Sequence, residues 1–177
     1  MALRGRPRWA PAQALATRRA TIPSAIVNLR FEQFVPASRE ALFAFHGDPR
    51  NLALLLEGWK GFELLDHDGH TRVGAHVHLR QRAGFLVHDM TFEHFVFEPP
   101  TCFGERQTRG PFSRFEHVHE FADAPGGTTI VDRVAFALPW YLGGALADRL
   151  VVAPMLERFF EFRRAAYRRL CESGRWR

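Results

Sequence analysis

Lysine is nearly missing from this chain. Lys60 stands alone among 24 basic residues, and all the others are arginine. Arginine carries a rigid fork of donors suited to carboxylates or phosphates. The arginines gather toward the two ends, in residues 4–19 and 163–177, and no stripe interleaves them with aromatics. The net charge of +5 therefore comes without a nucleic-acid recognition motif. Cysteine is also scarce. Cys102 and Cys171 show neither CxxC nor paired Cys/His spacing, which excludes a disulfide scaffold and a sequence-readable zinc site and fits a reducing cytoplasm. No apolar run approaches the roughly 20 residues of a membrane span. The first residues lack a continuous apolar core and are not a secretory signal. Arg-rich and free of acids, residues 1–22 read as a disordered extension outside the fold. Gly143-Gly144 precedes a helical stretch but lacks the Lys-Ser/Thr of a phosphate loop, which removes nucleotide chemistry.

Phenylalanine is abundant, with 17 residues against two tyrosines. It supplies apolar area with no polar handle, suited to a core or to the wall of an apolar pocket. With 177 residues and 46% hydrophobic content, the chain is long enough for one ordinary domain.

The local patterns run in a simple order. Residues 25–35 alternate as a strand that stops near Pro36. Ser38 caps a helix over 40–46, and Asp48-Pro49 starts a second one over 49–56. Strands follow over 61–66, 71–81, 85–97, 102–109, 112–121 and 128–138, separated by turn residues. In the second of these, Val73, Ala75, Val77 and Leu79 share a side; in the third, His88, Met90, Phe92, His94 and Val96 do. A long helix over 143–171 closes the chain, with Leu146, Leu150, Leu156, Phe159, Phe160, Arg163 and Tyr167 as a broad stripe expected to be buried by the sheet. Pro154 is expected to kink or break it. The order implies an α+β fold in which a curved antiparallel sheet of about seven strands wraps around the last helix.

Three strand faces mix aromatic with polar residues. They are Phe103, Glu105, Gln107, Arg109; then Phe115, His117, His119, Phe121; then Ile130, Asp132, Val134, Phe136, Leu138. Residues at i and i+2 share a face, and a half-buried sheet would place its polar residues on the other one. A sheet around a partly polar cavity has this pattern.

These residues carry a family resemblance. Phe103-x-Glu105-x-Gln107-x-Arg109-Gly110-Pro111-Phe112, His117-x-His119-x-Phe121, Gly126-Gly127-Thr128, Asp132-Arg133-Val134 and Leu138-Pro139 stand in the order seen in START-like, or SRPBCC, proteins. The match extends over about residues 24–170 and includes Phe43-Ala44-Phe45-His46-x-Asp48-Pro49-x-Asn51-Leu52. The chain resembles the bacterial ligand-binding, polyketide cyclase/dehydrase-like group most. The resemblance implies a helix-grip fold over residues 23–172 and a small hydrophobic or amphipathic ligand between sheet and helix.

Two readings of the polar set stay open. In one, Glu105, Gln107, Arg109, His117 and Asp132 orient a ligand whose apolar walls are Phe92, Phe103, Phe115, Phe121, Phe136, Met155 and Phe159. In the other, Glu105–Arg109 and His–Asp132 pairs merely satisfy each other, as buried charges must. An enzyme of the cyclase or dehydratase kind would use His117 or His119 with Asp132 as general acid and base. His117-x-His119, with Glu105, Asp132 or His94, also has donors of metal-ligand type. No downstream Glu at cupin-like spacing follows, so neither metal nor cofactor is expected. The expected state is a cytoplasmic monomer or homodimer that inserts into no membrane and binds no nucleic acid.

Overall fold

The computed structural model describes residues 25–83 and 86–173, so the expected extension over 1–22 lies outside the described residues. Seven antiparallel strands form one sheet in the order β1-β7-β6-β5-β4-β3-β2. They are β1 Val27–Val35, β2 Phe62–His67, β3 His76–Ala83, β4 Leu86–Glu98, β5 Cys102–Arg109, β6 Arg114–Ala124 and β7 Gly127–Ala137. Between β1 and β2 come α1 (Arg39–His46), a 3₁₀ turn (Pro49–Asn51) and α2 (Leu52–Leu55). Ser38 Oγ accepts the Ala41 amide, and Asp48 Oδ1 accepts the Arg50 amide. Both helical starts thus have side-chain caps for amides that would otherwise lack partners.

The chain then ends in one long helix, α3, over residues 144–173. It opens as Gly144–Ala147, widens into a π turn at Asp148–Val152 and continues as Ala153–Ser173. Pro154 neither breaks nor stops it. The Ala153 amide reaches the Asp148 carbonyl five residues back, and this looser turn lies where the proline ring would crowd the preceding carbonyl.

Two other expectations need correction. Residues 71–75 are not strand. Gly74 takes φ of 80° and the Ala75 amide bonds the Arg72 carbonyl, so a turn precedes β3 and Val73 is 63% exposed. On β4, the register with β5 shifts between His94 and Val96. A one-residue shift exchanges faces. Met90, Phe92 and His94 point inward, but further on Phe97, not Val96, packs into the core beside Phe43.

The interior has an apolar part at each end of β6 and β7. One holds Phe43, Phe103, Phe121, Ile130, Ala166 and Leu170. The other holds Val134, Phe136, Leu138, Val152, Leu156 and Phe160. The polar row lies between them, because Asp132 falls between Ile130 and Val134 along β7 and Arg163 falls between Phe160 and Tyr167 along α3.

Candidate ligand site

The row is assembled by strand register. His94 on β4 lies opposite Glu105 on β5, and Glu105 lies opposite His117 on β6. His119 on β6 lies opposite Asp132 on β7. Opposed side chains on one face are neighbours, so residues far apart in sequence meet. His117 Nε2 is 3.0 Å from Asp132 Oδ1, and its Nδ1 is 3.5 Å from Glu105 Oε1. His119 Nδ1 lies 2.6 Å from the same Asp132 oxygen, but off the line of a hydrogen bond. His94 Nδ1 meets the Ala75 carbonyl at 3.1 Å while Nε2 lies 4.0 Å from Glu105.

The other wall comes from α3 and α1. Arg163 Nη1 lies 3.8 Å from Asp132 Oδ1, and Nη2 donates to the Tyr167 hydroxyl at 3.3 Å. That hydroxyl in turn bonds His46 Nε2. The guanidinium also lies over the Phe160 ring, 5.2 Å from its centroid, a favourable place for a cation. Arg163, His46 and Tyr167 were not among the expected site residues. The sequence does hold a signal for Arg163, an arginine placed on an otherwise apolar helix stripe.

Burial and neighbours set the charges. Burial alone would push His117 down, but hydrogen bonds to Asp132 and Glu105 raise its pKa. Both ring nitrogens face carboxylates, so the ring is an imidazolium bridging two anions. Burial and the adjacent His117 charge push His119 down to about 4. Burial also holds His46 well below the usual histidine range, with the Arg163 charge adding to it. Asp132 stays ionised despite burial because Arg163, and then the His117 hydrogen bond, favour its anion. Glu105 is held at about 2, chiefly by the His117 hydrogen bond working against burial. The row thus sets the Arg163 guanidinium and a His117 whose protonated form is favoured against the Asp132 and Glu105 anions, with His46 and His119 biased toward their neutral forms.

A cavity of about 80 Å³ opens between this row and the 48–52 segment. Its lining includes His46, His94, Phe103, Glu105, His119 and Arg163, together with Thr71 and Asp48. Pockets for drug-sized ligands run to roughly 300–1,000 Å³; this one has room for several waters or a head group. The chain's own rings take up the remaining space. Phe92 stacks edge-on to Phe115 at 5.6 Å, Phe115 meets Phe112 at 5.1 Å, and Phe31 stacks on Phe160 at 4.0 Å. Among the lining residues, Thr71 Oγ1, Arg163 Nε and His119 Nδ1 have no hydrogen-bond partner.

The expected residues therefore separate. Phe103, Glu105 and His119 line the cavity, and His117 and Asp132 lie immediately behind them. Phe92, Phe115, Phe136, Met155 and Phe159 pack in the neighbouring apolar clusters. Gln107 donates to the Phe112 carbonyl at 2.9 Å and ties down the β5–β6 turn. Arg109 is exposed, and the Glu105–Arg109 pair does not form: Glu105 turns to histidines instead. Glu105, His117 and His119 also present donor atoms within 4.8 Å of one another, a nitrogen–oxygen set of metal-ligand type. As arranged, the His117 proton and the Arg163 guanidinium already neutralise these carboxylates.

A seven-stranded antiparallel sheet gripping one long C-terminal helix defines the helix-grip class. The chain belongs to the family described as polyketide cyclase/dehydrase and lipid transport, whose model matches residues 27–172. Solved structures share the fold. The Zhui aromatase/cyclase of Streptomyces sp. R1128 is 14% identical with a TM-score of 0.65, covering 83% of this chain and 94% of its own. TTHA0849 of Thermus thermophilus is 19% identical with a TM-score of 0.63, covering 80% and 97%. The di-domain aromatase/cyclase BexL of the BE-7585A biosynthetic pathway is 19% identical with a TM-score of 0.62, covering 82% of this chain and 51% of that one. No curated protein matches the chain.

Proposed function

We propose that this domain binds an amphipathic small molecule whose oxygen-bearing end, a carboxylate, phenolate or ketone, enters the cavity beside Arg163. The observation that carries this reading is that Arg163 and Thr71 line one small cavity and each keeps a buried polar atom, Nε and Oγ1, without a hydrogen-bond partner. A buried donor without an acceptor costs about 1–3 kcal/mol, and a ligand oxygen would recover it. The apolar remainder of the ligand needs space that Phe115, Phe160 and their neighbours now fill, so binding entails movement of α3 or of residues 49–56. The setting we propose is the cytoplasm, where Cys102 and Cys171 stay as free thiols.

The test is native mass spectrometry of the gently purified protein, then denaturing extraction, repeated with Arg163→Met. A stoichiometric amphipathic oxygen-bearing compound on the native chain, lost from the variant, supports the reading. An empty native protein that no amphipathic carboxylate or polyphenol stabilises in a thermal-shift screen overturns it.

A second reading, an acid–base enzyme of the cyclase or dehydratase kind, is favoured by one observation. His119 and His46 line the cavity as neutral bases beside the protonated His117. A neutral imidazole can remove a proton next to a carbonyl, and a nearby acid can return one to a leaving hydroxyl. Turnover of a poly-β-ketone surrogate with a bell-shaped pH profile, abolished in His119→Ala, would select it over simple carriage.

A further inference from the structure

The cavity is not the only part of the molecule that lacks a partner. Residues 140–151 leave six large apolar side chains in water: Trp140 (73% exposed), Tyr141, Leu142, Leu146, Leu150 and Val151. Single exposed apolar residues are ordinary, but a contiguous group marks an interaction site. Leu146 and Leu150 are spaced by four and form one short row at the start of α3, and Leu142 lies just before it, across Gly143 with its φ of 95°. Trp140 and Tyr141 sit beside that row on the 3₁₀ turn Trp140–Leu142.

The exposed charge within residues 140–151 is of one sign. Arg149 is exposed; Asp148, the one acid in the segment, is fully buried and bonded to the Leu138 amide at 2.9 Å. Register places the β5–β6 turn at the same end of the sheet, since Arg114 pairs with Ala137 just before the segment. Phe112 of that turn and Ala147 of α3 pack against the same cluster, which brings Arg109 to the same pole. Neither Arg109 nor Arg149 forms an ion pair among the described residues, whereas Arg114 and Arg80 are paired with Glu116 and Asp89.

We propose that residues 140–151 dock this domain onto the surface of an anionic phospholipid bilayer. Tryptophan and tyrosine favour the boundary between headgroups and acyl chains, leucines enter below them, and the arginines meet lipid phosphate and carboxylate. A second copy of the chain fits less well, because residues 140–151 expose Arg149 and no acid, so a self-complementary contact gains no ion pair within the segment. Docking of this kind lies in the interface and needs no spanning helix; among the described residues no helix is long and apolar enough to cross. The inference does not depend on what the cavity binds.

The test is co-sedimentation of the full chain with vesicles of phosphatidylcholine alone or mixed with phosphatidylserine. We expect binding to the mixed vesicles, weakened by added salt. Leu146→Asp with Leu150→Asp should lower the partition about tenfold or more, with Trp140→Ala lowering it in the same direction. These side chains are exposed, so an unchanged melting temperature confirms that the variants fold. The Arg-rich chain ends are common to all variants. If the double variant sediments like the native chain, those ends carry the binding and the proposal fails. It fails equally if the native chain ignores both vesicle types, or if ultracentrifugation shows a dimer that the double variant splits.

Discussion

Asp132 on β7 and Arg163 on α3 approach to 3.8 Å with both side chains buried, and this pair joins the polar row of the sheet to the helix that covers it. Removing one partner of a buried pair strands the other charge. Arg163→Met should therefore destabilise the fold by about 3 kcal/mol, and Asp132→Asn by a comparable amount. The double variant should cost less than the sum of the two, a coupling that a double-mutant cycle in urea measures.

The histidines predict a pH profile with two sides. His119 titrates lower in the folded protein than unfolded, so the unfolded chain binds more protons between roughly pH 6.5 and 4, and stability falls as pH drops through that window. Glu105 and Asp132, also lowered, extend the loss at more acidic pH. His117 acts in the opposite sense. Its raised folded pKa stabilises below its unfolded value, and that contribution is lost as pH rises through the folded one. Melting temperatures of His119→Gln should fall less steeply between pH 6.5 and 4 than those of the native chain, while His117→Gln should flatten the alkaline side.

Asp148 offers a separate test at the β7–α3 junction. Its Oδ1 accepts the Leu138 amide, its Oδ2 has no partner, and burial raises its pKa. Asp148→Ala leaves a buried amide unsatisfied and should cost about 1–3 kcal/mol. Asp148→Asn keeps the acceptor and removes the buried charge, so chemical denaturation at neutral pH should show little loss or a gain.

Arg109 and Arg163 should separate cleanly. Arg109 is exposed and forms no ion pair among the described residues, so Arg109→Ala should change stability by less than about 0.5 kcal/mol. A thermal-shift comparison with Arg163→Met checks which arginine matters to the fold and to any amphipathic ligand.

Much of the architecture was legible from short-range pattern. Alternation on β5, β6 and β7 marked the inward faces, caps at Ser38 and Asp48 marked helix starts, and glycines marked turns. Local pattern misled where the backbone departed from a uniform period. Gly74 turned Val73 outward, a bulge near Phe95 exchanged Val96 for Phe97, and a π turn carried α3 through Pro154.

The candidate site divides the same way. The spacing within each strand identified Glu105, His117, His119 and Asp132 as polar residues on inward faces, because i and i+2 share a side wherever no bulge intervenes. Which of them meet is a matter of register between strands and of how α3 lies across them. Only the folded chain could turn Glu105 to His117 instead of Arg109, bring His46 to Tyr167, and set Arg163 against Asp132. The size of the cavity was likewise a tertiary outcome: sequence counts phenylalanines, but packing decides whether their rings line a space or fill it.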